Sequence, residues 1–156
     1  MTTDPDPSSH PMVAAAIRLA PSVREAAEEA EATRRTPPAL AAEITKAGIY
    51  QMYLARSMGG PELAPLTAFR VVEELSKADG SVGWCAMIAT AMSLNVGRLP
   101  TEVGRELAGT PADYRAAGSA RTGGGAWEVP GGYRVKGRWN LPAASTTRGG
   151  CIAPAS

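Results

Sequence analysis

The sequence predicts a mainly α-helical N-terminal domain followed by an incomplete antiparallel β segment, a truncated α+β arrangement. Two observations predict this fold class. Apolar residues recur at the spacing of an α-helix through most of residues 12–109. From Thr110-Pro111 onward glycine becomes frequent, helical spacing stops, and apolar residues alternate as they do in strands. We therefore expect a disordered leader at residues 1–11, a helical domain at 12–110 and a partial β domain at 111–156.

The first part of the helical domain contains two helical stretches. Residues 12–35 carry apolar residues at helical spacing, and Pro21 divides them, so we expect two short helices or one kinked helix. Pro37-Pro38 begins the next helix, which Gly48 ends. A mixed segment follows, in which Gly59-Gly60-Pro61 is a strong turn signal.

Three more helices are expected before the β segment. Pro65 begins the first of them, and its expected buried side chains are Phe69, Val72 and Leu75. Ser81 is the expected cap of the next helix, residues 82–96, which is apolar nearly all round. A helix without a polar face is buried centrally or covered by a partner surface. Pro100-Thr101 begins a short amphipathic helix.

The β segment contains two or three expected strands. Residues 114–119 form the first, and residues 126–129 lead into a hairpin turn at Gly131-Gly132. Tyr133, Val135 and Trp139 then alternate along the returning strand. Because so few strands are not stable alone, we expect the sheet to be incomplete at residue 156.

Composition excludes several classes of protein. The 156 residues are 44% apolar and include 29 alanines, so a core is possible but is thinly filled. A net charge of +1 argues against a nucleic-acid or membrane-surface binder. His10 is the sole histidine, and Cys85 and Cys151 are isolated, which leaves no expected metal site, catalytic triad or disulfide. No run is long enough to span a bilayer, so we expect a cytoplasmic protein.

Four stretches of the sequence together resemble the acyl-CoA dehydrogenase superfamily. They are residues 38–48, 59–60, 79–84 (Asp-Gly-Ser-Val-Gly-Trp), and 117–119 followed by 129–139. Each motif alone is weak, but their order and spacing match the superfamily. The sequence is most similar to the branch that contains flavin-dependent two-component monooxygenases.

The resemblance implies three parts: an N-terminal helical domain, a middle barrel-like β domain and a C-terminal four-helix bundle. The chain would hold the first part, about a third of the second and none of the third. We therefore expect an N-terminal fragment of a flavin-dependent oxidoreductase that is inactive alone. It would belong to an acyl-CoA dehydrogenase-like enzyme or to the oxygenase component of a two-component aromatic monooxygenase. The implied partners are a small-molecule substrate, a flavin reductase and, as in homotetrameric relatives, further copies of the chain.

The same resemblance implies the site residues. Gly118 and Ser119 would offer backbone donors and a hydroxyl to FAD or FMN, and Trp139 would lie against the flavin ring. The alternative is a serine that ends a strand and a tryptophan packed in the sheet. For Trp84 the residues favour a core aromatic over a substrate-pocket role. No catalytic residue is expected within the chain.

A block at residues 141–150 departs from the family pattern. Ala143 lacks the hydroxyl that the family places at the flavin edge, and Pro142 removes a backbone donor. We therefore expect weak flavin binding by the chain alone. A rival hypothesis from another class is a non-catalytic helical interaction module, in which residues 82–96 dock onto a partner protein.

Overall fold

The computed structural model describes residues 6–109, 116–118 and 123–137. Within them, a series of helices precedes two antiparallel strands, which confirms the predicted fold class. The α-helices are α1 (Pro11–Glu25), α2 (Ala27–Thr33), α3 (Pro38–Lys46), α4 (Pro65–Ala78), α5 (Gly80–Val96) and α6 (Thr101–Ala108). Short 3₁₀ helices span Pro7–Ser9, Ile49–Gln51 and Arg56–Met58. The strands are β1 (Gly124–Val129) and β2 (Gly132–Gly137).

The described end of the leader has regular structure, which differs from the expected disorder. Pro7–Ser9 form a 3₁₀ helix, because the Asp6 side chain accepts from the Ser8 N–H. His10 then caps α1, its Nδ1 accepting from the Met12 N–H at 3.2 Å. The sole histidine is therefore a helix cap in this fold.

The first helical stretch forms two helices, but the division is not at Pro21. α1 runs through Pro21 to Glu25, and the break comes at Ala26. A proline inside a helix removes one backbone hydrogen bond, and the packing of α1 on α4 holds the helix together across that gap. α2 ends where Arg34 adopts a left-handed conformation with φ +54°.

The main core lies where α1, α3, α4, α5 and the Ile49–Gln51 turn meet. Its fully buried large side chains include Val23, Ile44, Ile49, Met52, Val71 and Leu75. α4 is the central element, because it packs on both α1 and α5. No aromatic ring is among the largest fully buried side chains of the described residues, in keeping with the thinly filled core expected from composition.

The inward face of α4 differs from the expected one. Its buried residues are Thr67, Ala68, Val71 and Leu75, whereas Phe69 is 63% exposed and Val72 is half-buried. Counting back from Leu75 in steps of four and three residues reaches Val71 and Ala68, and Phe69 falls outside this stripe. The prediction of Phe69 in the core is therefore wrong.

α5 begins two residues earlier than expected and has a different cap. The Asp79 carboxylate accepts from the backbone N–H groups of Ser81 and Val82, each at 2.9 Å. The Ser81 hydroxyl also donates to this carboxylate, which holds the pKa of Asp79 below its ordinary value of 3.8. Asp79 is therefore the N-cap, and Ser81 supports it instead of capping the helix itself.

The buried face of α5 consists mainly of small residues. They are Val82, Gly83, Ala86, Ala89, Thr90, Ser93 and Val96. At Gly83 the helix lies directly on α4, since a Cβ there would overlap the Ser76 hydroxyl and lie 3.0 Å from the Ser76 Cα. Small side chains on this face let the two backbones approach closely.

Two hydroxyl groups on the same face join α5 to the turn at Ile49–Gln51. Thr90 donates to the Ile49 carbonyl at 2.9 Å, and both groups are buried. Ser93 donates to the Ala89 carbonyl at 3.1 Å and to the Tyr50 carbonyl at 3.4 Å. These bonds join the buried face of α5 to the backbone of the turn.

The predicted hairpin is present. Ala126 pairs with Val135 and Trp127 with Arg134, and the turn between the strands is Pro130-Gly131. Gly131 has φ +86°, a conformation that favours glycine at the third position of a type II turn. Trp127 and Tyr133 are both more than half exposed. Of the expected first strand, only residues 116–118 are described, and Ala117 and Gly118 each form a β-bridge.

We predict that Gly83→Ala destabilises the protein, because the added methyl would meet the Ser76 side chain and backbone. The expected loss is about 1–3 kcal/mol in the free energy of unfolding, measured by urea denaturation. Gly80→Ala is the matched control, since it lies on the same helix with no atom within 4 Å of the new methyl. Equal effects of the two substitutions would show that the α4–α5 contact is not as close as described.

We also predict that Asp79→Ala lowers the free energy of unfolding by about 1 kcal/mol at neutral pH. Since the pKa of Asp79 is depressed in the folded state, its ionised form stabilises the fold above pH 3.8, and that contribution is lost as the pH falls below this value. The difference from the unsubstituted protein should therefore shrink in acid. The stability of Asp79→Asn, which keeps an acceptor but has no titrating carboxylate at this position, should lack the pH dependence that Asp79 gives the unsubstituted protein.

Candidate functional site

Two of the four residues implied by the resemblance lie in described parts of the chain. Gly118 is half-buried at a β-bridge, and Trp84 lies on the second turn of α5. Ser119 and Trp139 lie outside the described residues, as do Pro142 and Ala143. The described part of the candidate site therefore consists of Gly118 and the surface of α5.

Residues 116–118 pack against the second half of α5. Ala116 is buried in a small cluster with Leu54, Met58, Val96 and Ala108, and Met92 packs at its edge. Gly118 lies directly on the Met92 side chain. The described end of the first β segment is thus joined to the helical domain through α5 and α6.

α5 presents an apolar face opposite its buried one. We call this the outer face of α5, and it consists of Trp84, Met87, Ile88, Ala91 and Leu94. Trp84 and Leu94 are 56% and 52% exposed, and the other three are half-buried. Met92, which contacts Gly118, borders this face. Apolar side chains therefore cover this side of α5, next to Met92 and its contact with Gly118.

Trp84 is not a core aromatic, so that interpretation is wrong. The buried face repeats at Val82, Ala86, Ala89 and Ser93, and at 100° per residue Trp84 points to the opposite side of the helix. A side chain more than half exposed is available to a ligand or a partner. Its role in a substrate pocket stays a prediction.

Two further residues, Met92 beside Gly118 and Asn95 beside Met92, lie here without a sequence signal that indicates a role for them. The Asn95 side-chain amide donates to the Met92 sulfur at 3.7 Å. Their spacing of three residues places both on neighbouring turns, but nothing in the sequence indicates that Met92 meets a residue 26 positions later. Only the fold brings Met92 to Gly118.

A cleft lies at the other end of α5, and its lining differs in character from the outer face. It has a volume of about 540 Å³, and its lining includes Arg34, Arg35, Asp79, Ser81 and Cys85. Asp79 is engaged there as the cap of α5, and Glu31 is a further lining carboxylate. Acidic and basic groups are balanced in this cleft, and it lies about two helical turns from Met92.

The described residues contain neither a candidate metal site nor a helix that could span a membrane. No group of three His, Cys, Asp or Glu side chains in residues 6–109, 116–118 and 123–137 could hold a metal ion. No described helix combines the length and the apolarity needed to cross a bilayer. The ion pairs of Glu73 with Arg70 and Lys77 are exposed on α4 and lower the pKa of Glu73.

Similarity to solved structures supports the arrangement of the helices. The crystal structure of the HsaA monooxygenase from M. tuberculosis superposes with a TM-score of 0.80 at 25% identity, covering 91% of this chain and 39% of that one. The structure of 3-HSA hydroxylase from Rhodococcus sp. RHA1 gives a TM-score of 0.79 at 26% identity, covering 85% and 34%.

Sequence comparison gives a family and a set of relatives. The oxygenase subunit HsaA of a flavin-dependent monooxygenase from Rhodococcus jostii (strain RHA1) is 27% identical over 78% of this chain and 32% of its own length. The chain therefore spans about a third of that relative. Residues 11–106 match the acyl-CoA dehydrogenase N-terminal domain. Through this domain, which occupies most of its described residues, the chain belongs to the acyl-CoA dehydrogenase family.

Proposed function

We propose that the chain supplies the N-terminal helical domain and the first strands of the middle domain in the oxygenase component of a two-component flavin-dependent monooxygenase. The support is that the relatives named above are monooxygenases and one is called an oxygenase subunit. A separate flavin reductase would then supply the reduced flavin. Hydroxylation of a small aromatic substrate is favoured over acyl-CoA dehydrogenation for the same reason.

The observation that carries this proposal is the position of Gly118 beside the outer face of α5. A flavin ring needs backbone donors along one edge and a flat apolar neighbour. Gly118 is half-buried, carries no side chain, and contacts Met92, which borders the outer face of α5. These features support the proposed place of Gly118 at the edge of a flavin.

Within this proposal each described residue has a limited task. The Gly118 backbone would hold the flavin edge, and the outer face of α5 would exclude water from the ring. Trp84 lies eight residues before Met92, about 12 Å along the helix, so it would face the substrate and not the flavin edge. When bound, the flavin would supply the activation of oxygen.

Further features of the proposed assembly rest on the resemblance. They are the roles of Ser119 and Trp139 at the flavin, the use of FAD or FMN, and a homotetramer. A cytoplasmic location is proposed from the sequence itself. Because the relatives are about three times as long as this chain, we expect the remaining pocket residues to lie in the parts that it does not span. We therefore expect no turnover by the chain alone.

A second candidate function is a non-catalytic helical interaction module. The observation that favours it is the exposure of Trp84 and Leu94 on the outer face of α5. In this alternative a partner protein would cover that face, and no flavin would bind beside it. The two candidates predict different results in a flavin titration.

We predict that the purified chain quenches the fluorescence of FMN or FAD saturably, in the high-micromolar range of protein. Weak binding is expected because only part of the site is present and residues 141–150 depart from the family pattern. The measurement is a titration of each flavin with increasing protein. The protein unfolded in urea is the control, and it should leave the fluorescence unchanged. Absence of saturable quenching by the folded chain would favour the interaction module.

We predict that Trp84→Ala changes the free energy of unfolding by less than about 0.5 kcal/mol, since its ring is more than half exposed. Leu75→Ala is the control for a core position and should cost about 2–5 kcal/mol, because Leu75 is fully buried. Both are measured by urea denaturation. If Trp84→Ala lowered the free energy of unfolding about as much as Leu75→Ala, Trp84 would be a core residue and could not line the proposed pocket.

A further inference from the structure

Gly118 and Met92 form a close contact between the β segment and α5. The Cβ that an alanine would add at Gly118 would overlap the Met92 sulfur and lie 2.8 Å from its Cγ. Any side chain at position 118 must therefore displace either Met92 or its own backbone. The Met92 side chain therefore lies directly against the Gly118 backbone.

Met92 is itself held in place from two sides. Asn95 donates an amide hydrogen to its sulfur at 3.7 Å. The rest of the side chain packs against the cluster that contains Leu54, Val96 and Ala116. A methionine is usually adaptable because it has three rotatable bonds, and these contacts restrict that freedom.

From this geometry we infer that Met92, oriented by Asn95, is a positioning residue for the flavin edge at Gly118. The inference rests on the proposed function, because it assigns Met92 a role at the proposed flavin site. Met92 acts through the Gly118 backbone. Any change that moves Met92 shifts this backbone and weakens flavin binding, even where the protein remains folded.

The test uses a double-mutant cycle on the whole chain, with flavin fluorescence and urea denaturation as the two readouts. Gly118→Ala should weaken flavin binding about tenfold, because the new methyl pushes the backbone away from Met92. Met92→Ala alone should weaken it severalfold, since the backbone loses its support. In the double variant the methyl fills the space vacated by Met92, so binding should return to within about threefold of the unsubstituted protein.

Two conservative variants keep the test valid if Gly118→Ala unfolds the protein. Met92→Leu fills nearly the same volume and should keep flavin affinity within about twofold. Asn95→Ala removes the donor that orients the sulfur, and it should weaken flavin binding about two- to threefold with little change in urea denaturation.

A second glycine–methionine pair, at the same small cluster but away from Gly118, separates positioning from general packing. Gly104 on α6 contacts Met58 in the same way, since a Cβ at Gly104 would lie 2.7 Å from the Met58 sulfur. The cycle of Gly104→Ala with Met58→Ala should show coupling in urea denaturation but none in flavin binding. The cycle at Gly118 and Met92 should show coupling in both.

The outcomes distinguish the inference from the proposed function. If the unsubstituted chain binds flavin and the effects of Gly118→Ala and Met92→Ala on affinity simply add, Met92 does not position the site and the inference alone is overturned. The same holds if the Gly104–Met58 cycle changes flavin affinity as much. If the unsubstituted chain does not bind flavin, the proposed function fails and the inference fails with it.

Discussion

The close contact between α4 and α5 at Gly83 is the constraint on which the rest of the structure depends. Because Gly83 has no side chain, α5 lies directly against Ser76. Thr90 and Ser93 then join the same helix face to the turn that follows α3. With α5 fixed in this way, Met92 contacts Gly118, and the outer face of α5 points away from the core.

α5 has an unusual distribution of side-chain sizes. Its buried face carries mostly glycine, alanine, serine and threonine, whereas Trp84, Met87, Ile88 and Leu94 lie on the outer face. Close packing of backbones, rather than burial of large side chains, therefore holds the helix in place. The large apolar side chains remain available for a ligand or a partner, which explains how an alanine-rich sequence can form a stable helix and still offer an apolar surface.

Local sequence signals predicted much of the fold. Pro38, Pro65 and Gly131 lie at the helix starts and the turn that these residue types favour. Long-range packing decided the features that were wrong or missed. Phe69 lies off the buried stripe because α1 and α5 contact α4 along Ala68, Val71 and Leu75. The contact of Met92 with Gly118 spans 26 positions, and no spacing rule indicates it. The roles of Gly118, Ser119, Trp139 and Trp84 came from family resemblance and remain predictions.

The most direct test of the central claim, that α5 and Gly118 form the flavin-facing surface, is the response of assigned backbone amide signals to added FMN. We expect the NMR signals of Gly118 and Met92 to shift progressively and saturably, together with those along the outer face of α5. Ala27 and Ala30, which line the cleft at the other end of α5, should not shift. Saturable shifts confined to that cleft, or no shifts at Gly118 and Met92, would contradict it.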